Sequence, residues 1–147
     1  WNMDCARSLL RVHIDTALRF SAAWFVENPN EFALKVVGGC RIDKLKDSKG
    51  LKLTDAHLVK IHSADYPWLP KVYESLSGYI HFSRSHVFTP VASHSKEELS
   101  FSFEFSAADY QFPELSWIEI LDCTREATRM LTKYLDGYIL TKRISHK

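Results

Sequence analysis

Between Leu99 and Ser106 the chain alternates strictly, with Leu99, Phe101, Phe103 and Phe105 on one face and Ser100, Ser102, Glu104 and Ser106 on the other. Period-two alternation is the pattern of a strand with one buried face. An isolated hairpin is marginal in water, and a face bearing three phenylalanines would aggregate unless something covered it. The rest of the chain must supply that cover. Val87 to Ala92 is the expected partner strand, with His94 to Glu98 as the turn, which places an antiparallel hairpin at about 86–106. Pro90 cannot donate to a ladder and puts that strand on an edge.

Elsewhere the apolar period is helical. From Ala6 to Phe25, the residues Leu9, Leu10, Ile14, Ala17, Leu18, Phe20, Ser21 and Trp24 keep a three-four spacing, while Arg7, Arg11, Asp15 and Arg19 follow another face. This predicts an amphipathic helix ending by Glu27. Asn28-Pro29-Asn30-Glu31 then offers a cap, a proline at the first helical position and an acid, so Phe32 to Val37 form a second helix that Gly38-Gly39 ends. Thr54 caps a short third helix running to about His62, with Leu53 and Leu58 as its hydrophobic staple. Pro67 and Pro70 introduce a fourth, whose apolar side is Leu69, Val72, Tyr73, Leu76 and Ile80. The last helix starts at the capping box Ser116-Trp117-Ile118-Glu119, with Leu115 and Ile120 as staple and Trp117, Leu121, Thr124, Thr128, Leu131, Leu135 and Tyr138 as its buried seam. The expected fold is mainly α (α+β): a bundle of four or five helices with an antiparallel β-hairpin inserted before the C-terminal helix.

A chain of 147 residues, 46% hydrophobic and 25% charged, is the size of one domain with one core, here residues 1–147. Its opening residue, Trp1, suggests a domain excised from a longer chain. A net charge of +1 provides no global field for nucleic acid or acidic membranes, so such a partner must be held by a local patch. Cys5, Cys40 and Cys123 are odd in number and far apart, which points to reduced thiols and a cytoplasmic setting. The longest apolar run, Phe20 to Val26, is far shorter than the ~20 residues of a membrane span.

The densest set of reactive side chains is Tyr73 to His86, where a helix gives way to a strand. Glu74, Ser77, His81 and Arg84 recur at offsets of three, seven and ten, which stacks them on one helix face. His81, Arg84 and His86 are the candidate catalytic residues. Glu74, Ser77 and Tyr79, with Lys49 from the basic loop at 41–52, are the candidate binding residues. The structural alternative is that His81 closes the helix, its cationic form favoured by the dipole. A serine and a histidine one turn apart lack hydrolase geometry, and no Gly-x-Ser-x-Gly elbow occurs. The pairs His57/His62 and His81/His86 are rotated by about 140° on a helix, poor geometry for a shared metal, so scattered surface histidines are expected. No metal site and no cofactor fingerprint is read from the sequence.

Arg7 and His13 fit the Arg-x(4–6)-His pattern of HEPN-type ribonucleases, although Ser8 stands where that family commonly carries Asn, Asp or His. His13 itself lies on the apolar side of its helix and reads as a buried or semi-buried packing residue in preference to a catalytic one. The order of an Arg-rich leucine helix, the turn Lys46-Asp47-Ser48-Lys49-Gly50, the run Leu76-Ser77-Gly78-Tyr79-Ile80-His81-Phe82-Ser83, a hairpin and a closing helix resembles uncharacterised bacterial helical proteins of the HEPN-like, abortive-infection type, over residues 6–142. That resemblance implies a bacterial intracellular helical domain that binds a macromolecular partner, RNA among the candidates, with metal-independent RNA cleavage conceivable. The competing expectation is a noncatalytic assembly or dimerisation module, from the 13% aromatic content and the apolar hairpin face.

Overall fold

A computed structural model describes residues 2–80, 91–95, 100–103, 109 and 112–144. The protein is mainly helical. Among the described residues its helices are α1 (Met3–Ser21), α2 (Pro29–Val37), α3 (Asp55–His62), α4 (Leu69–Ile80) and α5 (Glu114–Ile144), with two short strands, β1 (Val91–Ser95) and β2 (Ser100–Phe103), between α4 and α5. The strands pair antiparallel, Val91 opposite Phe103 and Ser95 opposite Ser100, with an irregularity between Val91 and Ser93. The described strand runs past the expected end at Ala92, and His94 and Ser95 belong to it rather than to a turn.

α1 begins three residues before Ala6 because Asn2 caps it, its side chain accepting from the Cys5 amide at 2.7 Å. At Ser21 it tightens into a 3-10 turn, Ala22–Trp24. Asn28 accepts from the Glu31 amide, so α2 starts at Pro29, ahead of Phe32. Gly39, at φ +90°, takes the left-handed conformation that reverses the chain beyond α2. Thr54 caps α3 as expected, and both staple residues, Leu53 and Leu58, are buried.

α1 is the central helix, packing most extensively on α5 and next on α4. It runs parallel to α5: the Met3 amide donates to Asp109, His13 meets Thr128, and Trp24 lies edge-on to Tyr134. The core joins Leu10, Ile14, Ala17 and Leu18 of α1 to Leu58 of α3, Leu69 and Leu76 of α4, and Ala127 and Met130 of α5.

α5 departs from expectation at both its start and its face. It begins at Glu114, two residues before Ser116, and Leu115, the expected staple, is exposed. Its buried seam is Ile120, Cys123, Ala127, Met130 and Tyr134, and the expected Leu131 also packs against the core, while Leu121, Leu135 and Tyr138 are 68%, 38% and 48% exposed. The seam is displaced by one residue, a rotation of about 100°. On α1, Leu9 is also exposed rather than buried, and Arg11 is buried rather than on the solvent face.

Candidate functional site

Of the residues singled out in the sequence, His81, Arg84 and His86 lie outside the described residues, and Tyr79 is placed only as part of α4. Glu74 is exposed on α4, and Ser77 is half-buried. The Ser77 hydroxyl donates to the Tyr73 carbonyl one turn back, at 2.9 Å, so its proton is committed to the backbone rather than to Glu74. Arg7 stacks on Phe112, 5.0 Å from the ring centroid. His13 Nε2 lies 2.9 Å from Thr128 Oγ1, whose own proton goes to the Thr124 carbonyl. The hydroxyl therefore accepts, and His13 carries its proton on Nε2. Both members of the Arg-x5-His pair thus face the α5 side of the molecule.

The fourth expected binding position, Lys49, sits in the loop between α2 and α3. Between α2 and α3 the chain forms a 3-10 turn, Ile42–Lys44, and then folds back so that Lys46 pairs with Lys52 in an isolated antiparallel bridge. The flanking bonds, from the Asp47 amide to the Leu51 carbonyl and from the Leu53 amide to the Leu45 carbonyl, make Lys46 and Lys52 a non-hydrogen-bonded pair. In such a pair the side chains stand closest and share one face. Two like charges directly opposite destabilise the bridge, so another interaction must hold it. Asp47 provides it: Oδ1 accepts from the Lys49 and Leu51 amides at 2.9 and 2.8 Å, and Oδ2 lies 2.8 Å from His57 Nε2. Gly50, at φ +80°, allows the reversal.

The charges here are sorted by direction. Asp47 is turned inward with its side chain 5% exposed, Asp55 is held by Arg19 at 3.0 and 3.2 Å, and Asp43 by Arg41 at 2.5 and 3.0 Å. Lys44, Lys46, Lys49, Lys52 and Lys60 are exposed, and none forms an ion pair among the described residues. Lys44 and Lys46 also line an open cleft of about 640 Å³ against the start of α2. The His57 contact, with the two backbone amides, holds the Asp47 carboxyl below its usual range. Its contribution to stability is present above the ordinary carboxylate pKa and is lost as the pH falls through the lowered one. Asp47→Ala is expected to lower the melting temperature by several degrees and to speed amide exchange at Lys49 and Leu51, measured by hydrogen-exchange NMR.

Two further polar assemblies were missed by pattern reading. At the α1/α4 interface, buried Arg11 forms an ion pair with Asp15 and lies 3.6 Å from the centroid of the Tyr73 ring. The Tyr73 hydroxyl donates to Asp15 at 3.1 Å, and burial pushes its pKa up. Beneath α5, His62 is 2% exposed, a correction to the expectation of surface histidines. Its Nε2 lies 2.7 Å from Ser21 Oγ, which donates to the Leu18 carbonyl, and its Nδ1 lies 3.5 Å from the Tyr134 hydroxyl. Phe25 and Tyr134 meet the ring edge-on, and Tyr66 is tilted against it. Burial lowers the His62 pKa to about 4 and pushes the Tyr134 hydroxyl up to about 12. Ser21 is fully buried, so the Ser21–His62 contact is a core hydrogen bond closed to substrate.

Among the described residues no three His, Cys, Asp or Glu side chains stand close enough to hold a metal ion, and no helix is long and apolar enough to cross a membrane. No protein-family model, curated protein or solved structure matches the chain.

Proposed function

We propose that this chain is an RNA-binding helical domain that grips the phosphate backbone with the lysine turn between α2 and α3. One observation carries the reading: in residues 41–60 every carboxylate is bonded within the fold, while Lys44, Lys46, Lys49, Lys52 and Lys60 project into solvent. Lysines arranged in this way bind phosphates as point charges and release counterions, without reading sequence. The repulsion stored in the Lys46/Lys52 pair is relieved when a phosphate sits between the two ammonium groups.

The finer features of the proposal are a bacterial, cytoplasmic, HEPN-like bundle with the β1–β2 pair inserted before α5, and a cleavage centre at His81, Arg84 and His86. There one histidine would handle protons and Arg84 would stabilise phosphate charge, with no metal required. The binding reading is tested by fluorescence anisotropy on a labelled single-stranded RNA. Lys46→Glu/Lys49→Glu/Lys52→Glu is expected to weaken binding at least about tenfold, and unchanged affinity contradicts the reading. For cleavage, His81→Ala is expected to abolish RNA hydrolysis in chelator-treated buffer while binding persists. Unchanged hydrolysis removes His81 from the chemistry.

A further inference from the structure

The outer flank of α5 carries a second seam that the fold leaves in solvent. Ile118, Leu121, Arg125, Thr128, Thr132, Leu135 and Ile139 recur at alternating steps of three and four, and all seven are exposed. This is the heptad spacing by which one helix packs along another. Its middle is less polar than the sequence implies, because the hydroxyls of Thr128 and Thr132 donate to the carbonyls of Thr124 and Thr128. With those hydroxyls satisfied on their own helix, the threonines present methyl groups and small volumes where two helices cross. Leu9 and Val12, 69% and 54% exposed, flank His13, which binds Thr128, so α1 extends the apolar surface beside the seam.

We infer that this face binds a second copy of the chain, with the two α5 helices antiparallel about a two-fold axis. Charge selects the occupant and the direction. In an antiparallel register with Ile118 opposite Leu135, Leu121 falls opposite Thr132, Arg125 opposite Thr128 and Ile139 opposite Glu114, so the Ile118 and Leu121 layers bring apolar groups against apolar or methyl groups and no layer sets like charges together. On the solvent side of the seam, Asp122 and Arg129 then lie across from Arg129 and Asp122 of the second copy, two opposite-charge pairs from one symmetric operation. A parallel pairing would set Arg125 against Arg125 at the centre and would align the two helix dipoles unfavourably. α5 spans 31 residues, about 46 Å, which is long enough for the whole register.

The test is analytical ultracentrifugation of the full chain at about 100 µM, far above the micromolar Kd of a modest dimer. Twice the 17.0 kDa chain mass is expected. Leu121→Glu, at a residue 68% exposed, is expected to weaken association at least about 30-fold with unchanged circular dichroism. Asp122→Arg and Arg129→Asp are each expected to weaken the dimer, and the double exchange to restore it. A wild-type monomer at this concentration, a dimer indifferent to Leu121→Glu, or a double exchange that fails to restore association would each overturn the proposal.

Discussion

As the pH falls from the ordinary histidine range near 6.5 to about 4, the wild-type protein is expected to lose up to about 3 kcal/mol of folding stability through His62 alone. The imidazole is buried in its neutral form, its Nε2–H given to Ser21 and its Nδ1 facing the Tyr134 hydroxyl. Burial is the largest cause of its lowered pKa. Lys133 adds to it, and Asp65 opposes it. Between the two pKa values the unfolded chain binds a proton that the native state refuses, so stability rises with pH in that window and levels off on either side. His62→Phe removes the titrating group while keeping a ring against Phe25, Tyr66 and Tyr134. Urea denaturation across this pH range should show a steep limb in the wild type that is reduced by about that amount in the variant. An equally steep limb in both would assign the acid sensitivity to other groups. His62→Ala should cost about 3 to 5 kcal/mol at neutral pH, the range for emptying a ring-sized site in a packed core.

Asp15→Ala is expected to destabilise the protein by about 3 kcal/mol, more than its partial exposure suggests. Asp15 is the counter-charge of Arg11, whose side chain is 9% exposed, and it also accepts from the Tyr73 hydroxyl. Removing it leaves a buried guanidinium against an aromatic face with no carboxylate. Arg11→Met/Asp15→Leu eliminates both charges and retains volume, and should fall within about 1 kcal/mol of the wild type. Denaturant midpoints for the single and double variants decide the matter. A single variant costing less than about 1 kcal/mol would mean that water reaches Arg11.

These two assemblies mark the limit of what the sequence reveals. Caps are local, so Asn28 and Thr54 were legible from a few residues and bond where expected. The long-range features were not. The rule that places arginine on the outer face of a helix fails at Arg11 because its partners include Tyr73, 62 residues away in the chain. The seam of α5 was misplaced by one residue because that helix bears two apolar stripes, and periodicity cannot say which one the bundle buries. Ile120, Cys123, Ala127 and Met130 face α1 and its neighbours, whereas Leu121 and Leu135 stay outside. Lys49 was legible as part of a basic loop. The inward turn of Asp47, which leaves that loop basic on its outer side, depends on His57 and on the bridge geometry.

The central claim, that the turn carrying Lys46, Lys49 and Lys52 binds an RNA backbone electrostatically, is tested most directly by the salt dependence of binding. Each lysine neutralising a phosphate on a single strand contributes a slope of about −0.7 in log K against log salt. The wild type is expected to give a slope of about −2 to −3, and Lys46→Ala/Lys49→Ala/Lys52→Ala to make it shallower by about 2. A wild-type slope near zero, or a slope that the triple variant leaves unchanged, would contradict the assignment of this turn as the RNA-binding surface.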